Sequence, residues 1–287
     1  MKSSNPIFSS RGFVRRADRA ARAEQPVSAA LGAKAAGDHL SNPYAADGRP
    51  GLLDETRAPR LTMTMDDVIV RTTLTLGTVI LTAALSWVVL PVDETAIGRS
   101  YGIAVTAALI AFALAIVQAV RRTASPPLIL GYAAFEGVFL GVVSEATSTY
   151  IAPGVVVQAV IGTFTVAAGV LISYRLGWIR VNRRFYGFVL ASATGFLLLM
   201  ATDLVLSAFG AGNGLGFDSG GIGVAFGVVG VLLGACFLAM DFKQVEDAIA
   251  YGAPREESWL AAFGLTTSLV WIYLEVLRVL TLLREDG

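Results

Sequence analysis

One cysteine, Cys236, and one histidine, His39, are all that the 287 residues hold of the two side chains that most often build metal and redox centres. The single cysteine excludes a disulfide framework and a cysteine-metal site within the chain, and the single histidine excludes a multi-histidine zinc centre. Charge is scarce as well. Asp, Glu, Lys and Arg make up 15% of the chain, where a soluble domain carries about 25%. The 22 basic residues cancel the 22 acidic ones, so no basic surplus supports nucleic-acid binding. In place of charge stand apolar residues, 55% of the total, with a mean hydropathy of +0.65. A chain of this composition needs lipid as its solvent.

The first 65 residues differ from the rest. They hold ten Lys and Arg, many Ala, Gly and Pro, and no apolar run long enough to bury. Such a segment cannot offset its chain entropy by burial, so residues 1–65 read as a disordered tail and 66–287 as one membrane domain. The basic opening (Lys2, Arg11, Arg15, Arg16) has no apolar stretch after it until Val68, which argues against a cleaved signal.

From Val68 on, apolar stretches follow one another at roughly 68–90, 102–120, 128–148, 154–174, 186–209, 221–241 and 259–283. Each is near the 20 or so residues a helix needs to cross about 30 Å of hydrocarbon. A spanning segment must satisfy its own backbone hydrogen bonds, and these runs lack the alternation of barrel strands. The expected fold is therefore all-α, a polytopic membrane protein of seven transmembrane helices. Assigning the tail to the inside puts nineteen Lys and Arg inside and leaves Arg99, Arg278 and Arg284 outside. Without the distant residues of the tail the balance is still eleven to three, so the N-terminus is expected in the cytoplasm.

A charged side chain near the bilayer centre costs at least about 2.5 kcal/mol, so each one needs a reason to be there. Four carboxylates qualify: Glu136 in the third span, Asp203 in the fifth, Asp241 at the inner end of the sixth and Glu275 in the seventh. Arg278 is the one basic residue comparably placed. Gly223, Gly227, Gly230, Gly234 and Asp241 share one helix face at about 100° per residue. A glycine stripe packs closely on another helix, so Asp241 is expected to point into protein. Glu275 shares its side with Gly264, Ser268 and Trp271 and has Arg278 within ion-pair reach three residues on. Asp203 lies with Ser192 and Ser207, which suits hydrogen bonds between helices, and Glu136 lies with Tyr132 and Leu140.

Other motifs carry less. Asp218-Ser219-Gly220-Gly221 has the look of a serine-protease nucleophile loop, but the only histidine base, His39, is in the tail. The glycine run 210–216 has no strand before it and no basic residues near it, so it reads as a loop. Gly137 and Gly141 have the spacing of a helix-packing motif. With no nucleophile and base assembled, the chain is not expected to be an enzyme.

The segments Met240-Asp241-Phe242-Lys243-Gln244-Val245-Glu246, closing the sixth span, and Trp271-Ile272-Tyr273-Leu274-Glu275-Val276-Leu277-Arg278, in the seventh, resemble the transmembrane Bax inhibitor motif family, in particular its bacterial YccA-like branch. Phe135-Glu136-Gly137-Val138-Phe139-Leu140-Gly141 is also typical of that branch. The resemblance covers about residues 65–283. It implies two three-helix layers around a central C-terminal helix, set in a bacterial inner membrane. It further implies a calcium-permeable leak pathway opened by pH through a hydrogen-bonded acidic pair. Carried over by motif, that pair is Asp241 and Glu275, which would also offer oxygens to calcium as the transported ion, with no cofactor. Arg121 or Arg122 matches a basic group near the pair, while Glu136, Asp203 and Arg278 would line or support the pathway. Relatives tend to have aspartate where this chain has Glu275. Some YccA-like relatives instead regulate a membrane protease or other membrane machinery, so a protease is an alternative partner besides the lipid bilayer and calcium.

Two carboxylates within hydrogen-bond distance in a poorly solvated site cannot easily both ionise, so the pair would hold one proton and respond near neutral pH. Depth arithmetic sets a condition. At about 1.5 Å per residue, Asp241 is near the inner boundary while Glu275 is well inside its span. They meet only if the seventh helix begins in the cytoplasm or the sixth starts deeper than 221, and Trp259 as an interfacial residue makes the first the expectation.

Overall fold

The computed structural model describes residues 62–92, 97–121, 123–151, 153–209, 215–217 and 219–285. His39, Arg122, Asp218 and nearly all of the expected tail therefore lie outside the described residues. Seven helices are long and apolar enough to cross a membrane: α1 (Met65–Val89), α2 (Ile97–Val120), α3 (Pro126–Tyr150), α4 (Val155–Arg175), α5 (Arg183–Ala208), α6 (Gly220–Ala250) and α7 (Ser258–Glu285). The protein is a multi-pass, all-α membrane protein, and no strand occurs among the described residues.

The helix ends follow local chemistry. Thr64 caps α1 through a reciprocal box with Asp67: the Asp67 N–H donates to Thr64 Oγ1 at 3.2 Å, and the Thr64 N–H donates to Asp67 Oδ2 at 3.3 Å. Pro126 and Pro127 open α3, where the missing N–H groups have no helical acceptor anyway. Asn182 accepts the Phe185 N–H at 2.9 Å to start α5. Gly154 stands at φ +87° just ahead of α4, a conformation that costs other residues a clash at Cβ.

The expected spans match the helices with one consequential difference. The sixth was expected to stop at 241, but α6 runs on to Ala250, 31 residues in all, about 46 Å and well beyond the hydrocarbon thickness. Its last turns are amphipathic and need no lipid: Lys243 Nζ bonds Asp247 Oδ1 at 2.7 Å and lies 3.6 Å from Glu246 Oε2.

Centrality belongs to α7. It packs on α6, α1, α4 and α3, whereas α2 leans chiefly on α3 and α5 on α6. This is the arrangement of outer helices around a central C-terminal one. The largest buried cluster joins Val68, Val170, Leu238, Val245, Leu265 and Ile272 from α1, α4, α6 and α7, together with Met63 ahead of α1. Residues 62–64 are accordingly fixed rather than part of a free tail: the Met63 N–H donates to Ala253 O at 2.8 Å and Thr62 bridges Pro254. Arg255 Nε reaches Asp67 Oδ1 at 2.7 Å, and Arg71 donates to Arg255 O at 2.6 Å while lying 5.2 Å over the Trp259 ring. The start of α1 is thus bound to the α6–α7 turn.

Candidate functional site

The α6 glycines do what their spacing predicts. A Cβ at Gly223 would meet Leu282, at Gly227 Val279, at Gly230 Glu275, and at Gly234 Ile272 and Trp271. Further along the same contact, a Cβ at Gly264 would come within 2.9 Å of Asp241 Oδ1. This is an antiparallel hairpin in close approach, and three or four residues down one helix correspond to three or four up the other.

That register separates the two expected partners. Asp241 lies level with Gly264 and Ser268, and its Oδ2 accepts the Ser268 hydroxyl at 2.5 Å. Glu275 lies level with Gly230, eleven residues from Asp241 along α6. At about 1.5 Å per residue the two carboxylates are some 10–16 Å apart along the helices, so they do not form a hydrogen-bonded pair or a shared calcium site. The reason is their unequal distance from the turn: Asp241 is ten residues before the turn residue Tyr251 and Glu275 is seventeen residues after the start of α7, an offset that the extension of α6 past 241 narrows but does not close. Among the described residues no three Asp, Glu, His or Cys side chains converge as a metal-binding group.

Each carboxylate has its own setting. Glu275 is 5% exposed, against α6 about 15 Å from the start of that helix, roughly half the bilayer depth. Among the described residues its Oε2 has no hydrogen-bond partner, and it lies 3.9 Å from Arg278 Nη1, a long ion pair. One turn below, Trp271 Nε1 donates to Gly230 O at 3.0 Å. Arg278 Nη2 donates to Phe217 O at 2.7 Å, and its guanidinium stands 5.3 Å over Phe226. Phe226 in turn is stacked between Phe217 and Phe196, with ring centroids 4.2 Å apart on each side. An aromatic stack therefore covers the Arg278 side of Glu275.

Glu136 is half-buried on α3. Tyr132, one turn earlier, sets its ring edge-on to Phe263 of α7 at 5.1 Å, so Glu136 comes about level with Thr267 and flanks the α7 turn that Asp241 flanks from α6. Asp203 is buried, but it accepts the Leu215 N–H at 2.5 Å, capping the chain between α5 and α6 instead of bonding to another helix. Arg121 is exposed at the end of α2, which packs on α3 and is not brought beside α6 or α7. Of the expected residues, Asp241, Glu275, Glu136 and Arg278 thus gather on α7, and Asp203 and Arg121 do not.

Sequence reasoning missed two polar contacts. Tyr273 Oη and Ser144 Oγ are 2.7 Å apart between α7 and α3, a pairing with no signal along the chain. Ser268 lies on the Glu275 side of α7 as expected, and there it bonds Asp241, which the sequence did not indicate. The unequal distances of Asp241 and Glu275 from the turn between their helices were the available sign that they would not meet.

No curated protein is similar to the chain at a significant level. The profile of the family described as Bax inhibitor 1 like matches residues 5–285, beginning inside the basic N-terminal segment and earlier than the residue 65 where the motif resemblance starts. With nearly the whole chain matched and seven spans that include a central C-terminal helix, the protein belongs to the Bax inhibitor 1 like family.

Proposed function

We propose that the protein is a member of the bacterial YccA-like branch of its family and a pH-responsive cation leak pathway of the inner membrane, with calcium as a transported ion and its N-terminus in the cytoplasm. The observation that carries this reading is Glu275: a carboxylate at mid-bilayer depth, 5% exposed, with no hydrogen-bond partner for Oε2 among the described residues. Ionisable groups at such depth mark ion and proton routes more often than structural contacts. Asp241 and Glu136 flank α7 two turns nearer the α6–α7 turn, so the acids form successive stations along the central helix. The expected shared-proton gate is replaced by separate stations, each of which holds a cation as an anion and loses that ability when protonated. Oxygen ligands of this kind suit a hard ion such as calcium. The closure over Glu275 is supplied by Arg278 with Phe217 and Phe226, and opening requires the guanidinium to leave the carboxylate.

The sign of the pH effect follows. Cation flux rises between about pH 5.5 and 8 as carboxylates lose their protons. Proteoliposomes holding a calcium dye test this with wild type, Asp241→Asn and Glu275→Gln. Each variant is expected to lower flux by about tenfold or more and to flatten its rise with pH. Flux equal to that of empty liposomes throughout would refute conduction, and wild-type flux in both variants would refute the stations. Protease added to inside-out vesicles should remove the N-terminal segment, and protection there would reverse the orientation.

A further inference from the structure

Helices α1 and α4 both rest on α7, but they do not pack on each other. Between them an apolar cleft of about 260 Å³ opens, floored by α3 and α7. Leu140 and Val270 in the floor are 5% and 6% exposed, whereas Ile80, Val160 and Phe164 at the mouth are 56%, 40% and 54% exposed. The cleft therefore opens sideways, at the depth where these helices face hydrocarbon.

Its hydroxyls are all engaged. Ser144 Oγ donates to Leu140 O at 2.6 Å and meets Tyr273 Oη at 2.7 Å, and Thr163 Oγ1 donates to Ala159 O at 2.8 Å. Water needs two to four polar partners to stay in such a space and finds none. The volume discriminates among apolar occupants. A helix about 10–12 Å across is too wide to seat on the floor of a cleft of this size and could only lie across its mouth. The N-terminal segment, with its ten Lys and Arg, is unsuited to an apolar slot. A chain of methylenes is thin enough, is present at that depth, and gains burial from each group seated. Trp87, which lines the cleft toward the end of α1, is a residue type that settles near headgroups.

We propose that this cleft is a binding site for one acyl chain of a membrane phospholipid, drawn from the leaflet on the Trp87 side. The seated chain fills the gap between α1 and α4 and rests on the α7 residues next to Tyr273. The site is independent of ion conduction and persists whether or not the protein passes calcium.

The full chain, reconstituted with phosphatidylethanolamine and phosphatidylglycerol and then taken into mild detergent, is examined by native mass spectrometry. One retained phospholipid per chain is expected. Ala84→Trp on α1 and Val160→Trp on α4 plug the mouth from opposite walls and should lower its occupancy about tenfold. Val228→Trp, on a lipid-facing part of α6, should leave it unchanged. Circular dichroism checks that each variant folds, and the second wall serves if one variant does not. A phospholipid with a nitroxide at mid-chain supplies a reading without any substitution: an immobilised spectral component at one lipid per wild-type chain. Absence of both the retained lipid and the immobilised component, or equal occupancy in the two plugged variants and wild type, overturns the proposal.

Discussion

Gly141 shows how much one missing methyl group decides. On α3, a Cβ there would run into Ser86 Oγ and the Ala83 carbonyl of α1, and the same holds for Gly137 against Thr82 and Val79. The α1–α3 contact is a backbone-to-backbone approach of the kind small residues permit in lipid, where no water drives helices together. Gly77, on α1 with nothing within 4 Å of its would-be Cβ, is a built-in control. Gly141→Ala is expected to lose about 1–3 kcal/mol of stability through overpacking, and Gly77→Ala to stay within about 0.5 kcal/mol. Unfolding in mixed micelles by sodium dodecyl sulfate measures both, and equal midpoints would mean that α1 and α3 are not in close contact. The spacing of Gly137 and Gly141 already declared a packing face in the sequence. It did not name α1 as the partner, because a small-residue motif describes one surface and the opposing one is chosen by the fold.

The α6–α7 hairpin is the element on which the reading of the acids turns. Both motif segments were legible, and so was the glycine face of α6, because periodicity within one helix needs only its own sequence. The relative register of two helices depends on where each begins and on the turn between them, and that was misjudged: even with α6 continuing nine residues past Asp241, Glu275 lies farther from the turn than Asp241 does. Crosslinking checks the register directly in a Cys236→Ala background. Asp241→Cys with Gly264→Cys should oxidise readily, since bridged cysteines need Cα atoms within about 7 Å. Asp241→Cys with Glu275→Cys should not crosslink, and efficient bridging of that second pair would restore the hydrogen-bonded pair that the structure separates.

For the whole molecule, stability is concentrated at the centre. Ile272 of α7 is fully buried within the cluster that joins α1, α4, α6 and α7, while Leu204 of α5 is 70% exposed to lipid. Ile272→Ala is expected to cost about 2–5 kcal/mol, and Leu204→Ala to cost within about 0.5 kcal/mol. Thermal unfolding in detergent compares them, and equal losses would contradict a central α7. The helices resting on α7 are unequally joined: α1 and α3 pack tightly, and α1 and α4 stand apart, leaving the cleft assigned above to an acyl chain.

The sequence by itself determined the solvent, the seven spans and which residues are out of place in hydrocarbon, because the energy of burying apolar and charged groups in lipid is settled locally, segment by segment. Tertiary structure alone decided which of those residues meet. Asp203 went to a loop, Arg121 to an exposed helix end, Asp241 to Ser268 and Glu275 to the contact with Gly230, because helix register and neighbour choice come from summed packing over many distant residues, which no single stretch of chain records.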